Sequence, residues 1–319
     1  MLSTETLLKT LTVSICSPYN QEAIPSFPIP MNTATAVLPR GTIIEEVDQG
    51  YYNPTPTKPF LKWVGGKSQL LKELKKYFPT DFNKYIEPFL GGGAVFFNII
   101  PEMAVINDSN EELMNTYEVV KNNVEDLIDI LSQYEHSEDF FYKLRKKQPQ
   151  HLSMLERAAR TIYLNKTCFN GLYRVNKKGE FNVPFGKYTN PAICDQSTLR
   201  SASLALQNTM IECSDYQTVL KKYAKKGDLI YIDPPYHPIS KYSDFKRYTK
   251  EFFYEKDQIE LKNTIQELKE KGCTVIASNS YCKFILDLYK DFDIKVVEAK
   301  RYINKDANKR NGIKEVIIL

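Results

Sequence analysis

A carboxylate, two prolines and an aromatic ring, Asp233-Pro234-Pro235-Tyr236, follow directly on the apolar run Leu229 to Ile232. Neither proline can donate to a β ladder, so a buried strand must stop here and the chain must leave the sheet at its C-terminal edge. The Asp233 carboxylate and the Pro234 carbonyl then form a pair of acceptors with no proline N–H to compete for them. Such a pair can take both hydrogens of a planar amino group and favour the pyramidal geometry that presents its lone pair to an electrophile. The amino group of adenine needs this help, because its lone pair is delocalised into the ring. Tyr236 adds a ring on which an extruded base can stack, a contact worth roughly 1–3 kcal/mol. The matching electrophile is a methyl group on a sulfonium, as in S-adenosylmethionine, and the reaction calls for no metal. In this scheme Asp233 orients the amino group and accepts a proton late, without needing a raised pKa. The competing reading is a strand-end turn in which Asp233 caps the next segment and Tyr236 packs in the core.

Two further stretches suit a nucleoside-like cofactor. Tyr85-Ile86-Glu87-Pro88-Phe89-Leu90-Gly91-Gly92-Gly93-Ala94 reads as a strand running through three glycines into a helix, where backbone can turn sharply and lie against a ligand. Asp108 ends the next apparent strand, 17 residues after Gly91, where a carboxylate can accept the hydroxyls of a ribose. Lys62-Trp63-Val64-Gly65-Gly66-Lys67-Ser68 invites a phosphate-loop reading, but that motif needs glycine at position 61, where Leu61 stands. As a turn opening a helix, it can instead offer N–H groups and Lys67 to a carboxylate such as that of S-adenosylmethionine, or it is a solvated surface turn.

These residues need a sheet to hold them. Apolar, largely β-branched runs predict strands at Tyr85 to Pro88, Ala104 to Asn107, Met210 to Cys213, Leu229 to Asp233, Thr274 to Ser278, Ile294 to Glu298 and Glu315 to Leu319. Helical periodicity predicts Gln69 to Tyr77, Glu111 to Lys121, Met154 to Lys166 and Lys256 to Lys271. Alternation of the two predicts an α/β fold with a mainly parallel, Rossmann-like sheet. Between about Asp126 and Arg200 no core strand stands out, and Lys, Arg, Asn, Tyr and Phe are dense, as in a mostly helical insert with an irregular basic loop. The expected organisation is a poorly ordered extension over 1–57, a catalytic domain over 58–125 and 201–319, and the insert over 126–200. Met31 is a second candidate start within the extension.

The net charge of +4 is too small to announce a nucleic-acid partner, but the first 57 residues carry −3 and the remainder +7. Six scattered cysteines without a C-x-x-C pair, and three histidines, argue against a metal site and fit reduced thiols in a cytoplasm. No apolar run approaches 18 residues, so neither a membrane span nor a signal peptide is expected.

From Lys58 onward the chain resembles the Dam family of DNA adenine-N6 methyltransferases, alpha group, whose sites are typically GATC. The likeness lies in Pro59-Phe60-Leu61-Lys62-Trp63-Val64-Gly65-Gly66-Lys67, in Glu87-Pro88-Phe89-Leu90-Gly91-Gly92-Gly93, and in Asp233 to Tyr236, with a recognition insert between the last two. The resemblance implies S-adenosylmethionine as cofactor, with Trp63 and Lys67 at its methionine end and Asp108 at its ribose. Asp215, in Ser214-Asp215-Tyr216, is implied beside its adenine; Glu87, Phe89, Gly91, Gly93 and Asp233 complete that set. Asp233, Pro234, Pro235 and Tyr236 are implied as catalytic.

Within the insert, Cys168-Phe169-Asn170-Gly171-Leu172-Tyr173-Arg174-Val175-Asn176 and Gly179-Glu180-Phe181-Asn182-Val183-Pro184-Phe185-Gly186-Lys187-Tyr188 resemble the family's target-recognition hairpin. Two apolar, turn-punctuated strands suit a β-ribbon entering a groove of double-stranded DNA. There Arg174 can read a guanine edge, Leu172 and Pro184 can touch a thymine methyl, and Asn170, Asn176 and Asn182 can reach phosphates. Lys62 is implied as a further guanine contact and Tyr188 as part of the DNA-binding surface. Phe169 stands where many members have Tyr, the residue that fills the space of the flipped base. Methyltransferases of RNA or protein glutamine are the nearest rivals; the latter usually have Asn in place of Asp233. A DNA-binding module with a dead nucleoside pocket would show a damaged catalytic turn. The implied setting is a bacterial cytoplasm, with a restriction endonuclease of the same site as a partner in function without direct contact.

Overall fold

The computed structural model describes residues 55–176, 178–237, 253–299 and 313–319. Met31 and the expected extension, apart from 55–57, lie outside them. Among the described residues seven strands, β1 (Tyr85–Glu87), β2 (Ala104–Asn107), β3 (Thr209–Glu212), β4 (Leu229–Ile232), β5 (Thr274–Ser280), β6 (Ile294–Ala299) and β7 (Ile313–Ile318), form one sheet in the order β3-β2-β1-β4-β5-β7-β6. Each lies within two residues of its expected place. The first five run parallel, and β7 inserts antiparallel between β5 and β6. The chain is thus α/β with the Rossmann-like sheet that the alternation of elements predicts.

The described helices are α1 (Leu71–Leu74), α2 (Phe96–Ile99), α3 (Glu111–Asn122), α4 (Val124–Ser132), α5 (Glu138–Lys146), α6 (Met154–Thr167), α7 (Gln196–Ala205), α8 (Tyr216–Tyr223), α9 (Glu255–Glu270) and α10 (Lys283–Leu288). None is long and apolar enough to cross a membrane. Strand periodicity sorts them onto two faces. Tyr85, Ile106 and Tyr231 pack with α3, α4, α6 and α7, whereas Ile86, Val105, Ile230 and Ile232 pack with α8, α9 and α10. A third cluster joins α5 and α6 to Cys168, Phe181 and Val183.

Two expectations need correction. The helix predicted over Gln69 to Tyr77 is a 3₁₀ turn (Lys67–Gln69), one α-helical turn and a second 3₁₀ turn (Lys75–Tyr77). None of the three has a side-chain cap bond, and so short a segment is held by burial of Leu70 and Leu74 rather than by helical propensity. The two strands expected in the recognition hairpin are antiparallel arms joined by separate bridges, Cys168↔Phe185 and Val175↔Phe181. Pro184 lacks an N–H, and Phe181 and Val183 turn into the third cluster, so no continuous ladder forms.

Candidate active site

β1 and β4 are neighbours from which the strand order departs in opposite directions, β2 and β3 on one side and β5 on the other. The crevice beyond their C-terminal ends is the ligand-binding position of an open α/β sheet. Glu87-Pro88-Phe89 leaves β1 there, and Asp233 to Tyr236 leaves β4 beside it.

The candidate catalytic turn, Asp233 to Tyr236 with His237 after it, is held at four points. Lys67 Nζ lies 2.8 Å from Asp233 Oδ2 and also donates to the Gly65 carbonyl. Gln258 of α9, fully buried, donates to the Pro235 carbonyl and accepts from Asn279 of β5. The Tyr236 hydroxyl donates to Glu315 of β7 at 2.7 Å, and Ser280 Oγ donates to the His237 carbonyl. Lys67 Nζ also lies 4.7 Å from the centre of the Tyr236 ring. Asp233 Oδ1 is buried without a partner, and no hydrogen bond among the described residues reaches the Pro234 carbonyl. The two groups left unbonded are the acceptors that an amino group would need. Among the described residues no backbone N–H of the following segment donates to the Asp233 carboxylate.

Burial raises the Asp233 pKa against the pull of the Lys67 ammonium, a shift that the orienting role read from the sequence did not require. Glu87 is pushed up to about 8, chiefly by burial, and accepts from the Tyr85 hydroxyl at 2.7 Å. An unfolded glutamate loses its proton near 4.5, so between that value and about 8 the folded chain binds more protons and stability falls as pH rises. Glu87→Gln removes the titration while leaving an oxygen for Tyr85. Urea unfolding is therefore expected to show the substituted protein gaining on the wild type by a few kcal/mol from about pH 5 to about pH 8. Parallel stability curves would mean that Glu87 is ionised in the fold.

The cofactor candidates converge on the same edge. Asp108 takes the Gly91 N–H on one oxygen and the Asn110 N–H on the other, and burial raises its pKa. Phe89 and Tyr216 place their rings 5.0 Å apart. Gly91 has φ +52°, and a Cβ there would lie 2.8 Å from the Trp63 ring; one at Gly92 would lie 2.9 Å from Trp63 Cβ. The glycine loop is therefore bare where Trp63 packs on it, which the sequence had ascribed to a ligand. Gly93, at φ +67°, faces Tyr117 and Phe97 instead. Asp215 caps α8 through the Thr218 N–H and hydroxyl. Asn107, which the sequence reading passed over, bonds the Pro88 carbonyl and both backbone groups of Ser214, tying together the loops after β1, β2 and β3. A buried polar residue ending an apolar strand was its available signal.

The recognition candidates form a second group. Phe169 is an exposed apolar ring, 50% accessible, beside exposed Asn170 and Pro184. Arg174 Nε donates to Asn182 Oδ1, and Asn176 closes the hairpin turn by accepting from the Lys178 and Glu180 N–H groups. Asn176 and Asn182, expected at phosphates, thus have bonds inside the hairpin. Leu172 packs partly against the third cluster, and Tyr188 lies 4.2 Å below the Lys62 ammonium. Trp63 stacks on Tyr173 at 5.2 Å, linking the two groups.

Comparison with known proteins agrees with this geometry. Residues 63–303 match the family described as D12 class N6 adenine-specific DNA methyltransferase. Type II methyltransferase M.MjaIII of Methanocaldococcus jannaschii is 44% identical over 82% of this chain and 98% of its own. Type II methyltransferase M1.LlaDCHI of Lactococcus lactis subsp. cremoris is 42% identical over 83% and 96%. The DNA adenine methylase of Haemophilus influenzae is 35% identical over 82% and 93%. Such a family transfers methyl from a donor to DNA. With a mostly parallel sheet, an acceptor pair at its edge and relatives matched nearly end to end, the chain belongs to the D12 class of N6 adenine-specific DNA methyltransferases.

Proposed function

We propose that the protein flips adenine out of a GATC-type duplex site and methylates its N6 from S-adenosylmethionine. The observation that carries this reading is the buried, unpartnered Asp233 Oδ1 beside a Pro234 carbonyl that no described residue bonds, at the end of β4. The donor set suits the cofactor: the Asp108 carboxylate for ribose hydroxyls, Phe89 and Tyr216 for a purine, and Trp63 and Glu87 along the loops between. When bound, S-adenosylmethionine supplies a methyl group already activated by its sulfonium. Asp233 and Pro234 accept the two amino hydrogens, Tyr236 stacks on the base, and Asp233 takes the proton released at N6. Lys67 serves Asp233, holding it ionised until that proton arrives.

Residues 126–200 carry target recognition on a catalytic domain of 58–125 and 201–319. Phe169 fills the gap left by the flipped base, Arg174 and Lys62 read guanine, and Asn170 meets a phosphate. The Type II names of two relatives support protection of a host site against a restriction endonuclease of the same specificity, without direct contact. Duplex oligonucleotides incubated with labelled S-adenosylmethionine, then digested with methylation-sensitive nucleases, test the whole reading. N6-methyladenine is expected in GATC. Its absence from every sequence context would overturn the activity, and its presence only elsewhere would overturn the site. With Arg174→Ala, preference over single-base-pair variants is expected to fall by about 10–100-fold at one position.

A further inference from the structure

Lys62 has its side chain in solvent, yet its backbone is fastened to the insert. Asn165, 1% exposed near the end of α6, accepts from the Lys62 N–H at 2.8 Å and donates to the Lys62 carbonyl at 2.7 Å. The same amide nitrogen donates to the Gly171 carbonyl at 3.2 Å, inside the recognition turn. The amide nitrogen therefore joins two segments 109 residues apart along the chain, Lys62 and Gly171, while the oxygen holds the first of them. The side chain of Lys62 follows the same path. A Cβ at Gly171, which has φ +61°, would lie 2.5 Å from Lys62 Cδ and 2.7 Å from its Cβ, so the lysine stem rests on bare glycine backbone. Its ammonium then sits 4.2 Å over the ring of Tyr188, just after the second arm of the hairpin. Lys62, Trp63, Asn170 and Gly171 line an open cleft of about 350 Å³ between the two segments.

We propose that Asn165 is a positioning residue for target discrimination: it fixes Lys62 to the recognition turn, so that the lysine and the hairpin meet the duplex as one rigid unit. A buried amide satisfied at both ends holds its partners in a single register, because any slip leaves a desolvated donor or acceptor unpaired. Lys62 lies in the segment that leads into Trp63 and the cofactor loop, and the backbone bonds of Lys62 named here lead to α6. The proposal rests on Lys62 touching a base pair, as set out above.

A double-mutant cycle separates it from a merely structural role. The full chain and its Lys62→Ala, Asn165→Ala and doubly substituted forms are assayed for kcat/KM on the preferred duplex and on each of its single-base-pair variants. Lys62→Ala and Asn165→Ala are each expected to lower discrimination at the same base pair by about tenfold or more. The double substitution is expected to match Lys62→Ala within about twofold. Effects that multiply, or an Asn165→Ala loss equal on every duplex, overturn the proposal and leave Lys62 as a reader. Unchanged discrimination in Lys62→Ala overturns the reading of Lys62 and, with it, this proposal. If Asn165→Ala does not fold, Asn165→Ser, too short to span both segments, replaces it with the same expected outcomes.

Discussion

Asp233→Ala is expected to lower methyl transfer by about 10³-fold or more while duplex DNA and S-adenosylmethionine still bind. The substitution removes the unpartnered Oδ1 and leaves Pro234 as a single acceptor, so one amino hydrogen has no partner and the lone pair stays in the ring. A preorganised electrostatic group in a dry site is worth about 10²–10³-fold, and loss of the proton acceptor adds to that. The surrounding turn has independent supports in Gln258, Ser280 and Glu315, so the backbone persists without the carboxylate. Lys67, only 6% exposed, loses its partner, and a fall in folding stability should accompany the loss of rate. Single-turnover kinetics give the chemical step, and gel shift and calorimetry give the two affinities. Normal turnover in this protein would remove Asp233 from the mechanism.

Lys67→Met tests the other half of the pair. Methionine keeps the apolar stem and removes the charge, so packing against the Tyr236 ring changes little. The ammonium opposes the effect of burial on Asp233; without it the Asp233 pKa rises further. In the proposed mechanism Asp233 reacts as the carboxylate, so the acid limb of the kcat/KM profile should move to higher pH. Activity near neutrality should fall by about 10–100-fold, with part recovered in more alkaline buffer. An unshifted limb would mean that Lys67 acts elsewhere, for example on the cofactor carboxylate that the sequence alone suggested.

Local patterning carried the sheet far into view. Apolar β-branched runs located all seven strands of the described residues, and Pro234-Pro235 marked where β4 stops. The antiparallel placing of β7 between β5 and β6 had no such signal, because pairing order is decided by packing across the whole sheet. The motifs showed which residue types could meet a cofactor and a base. They did not show that Lys67 pairs with Asp233, that Trp63 fills the space above Gly91, or that Asn176 and Asn182 bond within the hairpin. Gln258, Glu315 and Asn165 were invisible for one shared reason. Each is an ordinary polar residue in a helix or strand, and its role needs, among its partners, one at least 23 residues distant in sequence, which no local spacing encodes.

Trp63 is the only tryptophan in the sequence. It packs on the glycine loop on one side and stacks on Tyr173 of the recognition arm on the other. All indole fluorescence of the protein thus originates at the seam between the glycine loop and the hairpin arm, the segments proposed above to hold cofactor and DNA. The molecule carries its own optical probe, and any change in emission on adding nucleotide or duplex reports movement at that seam.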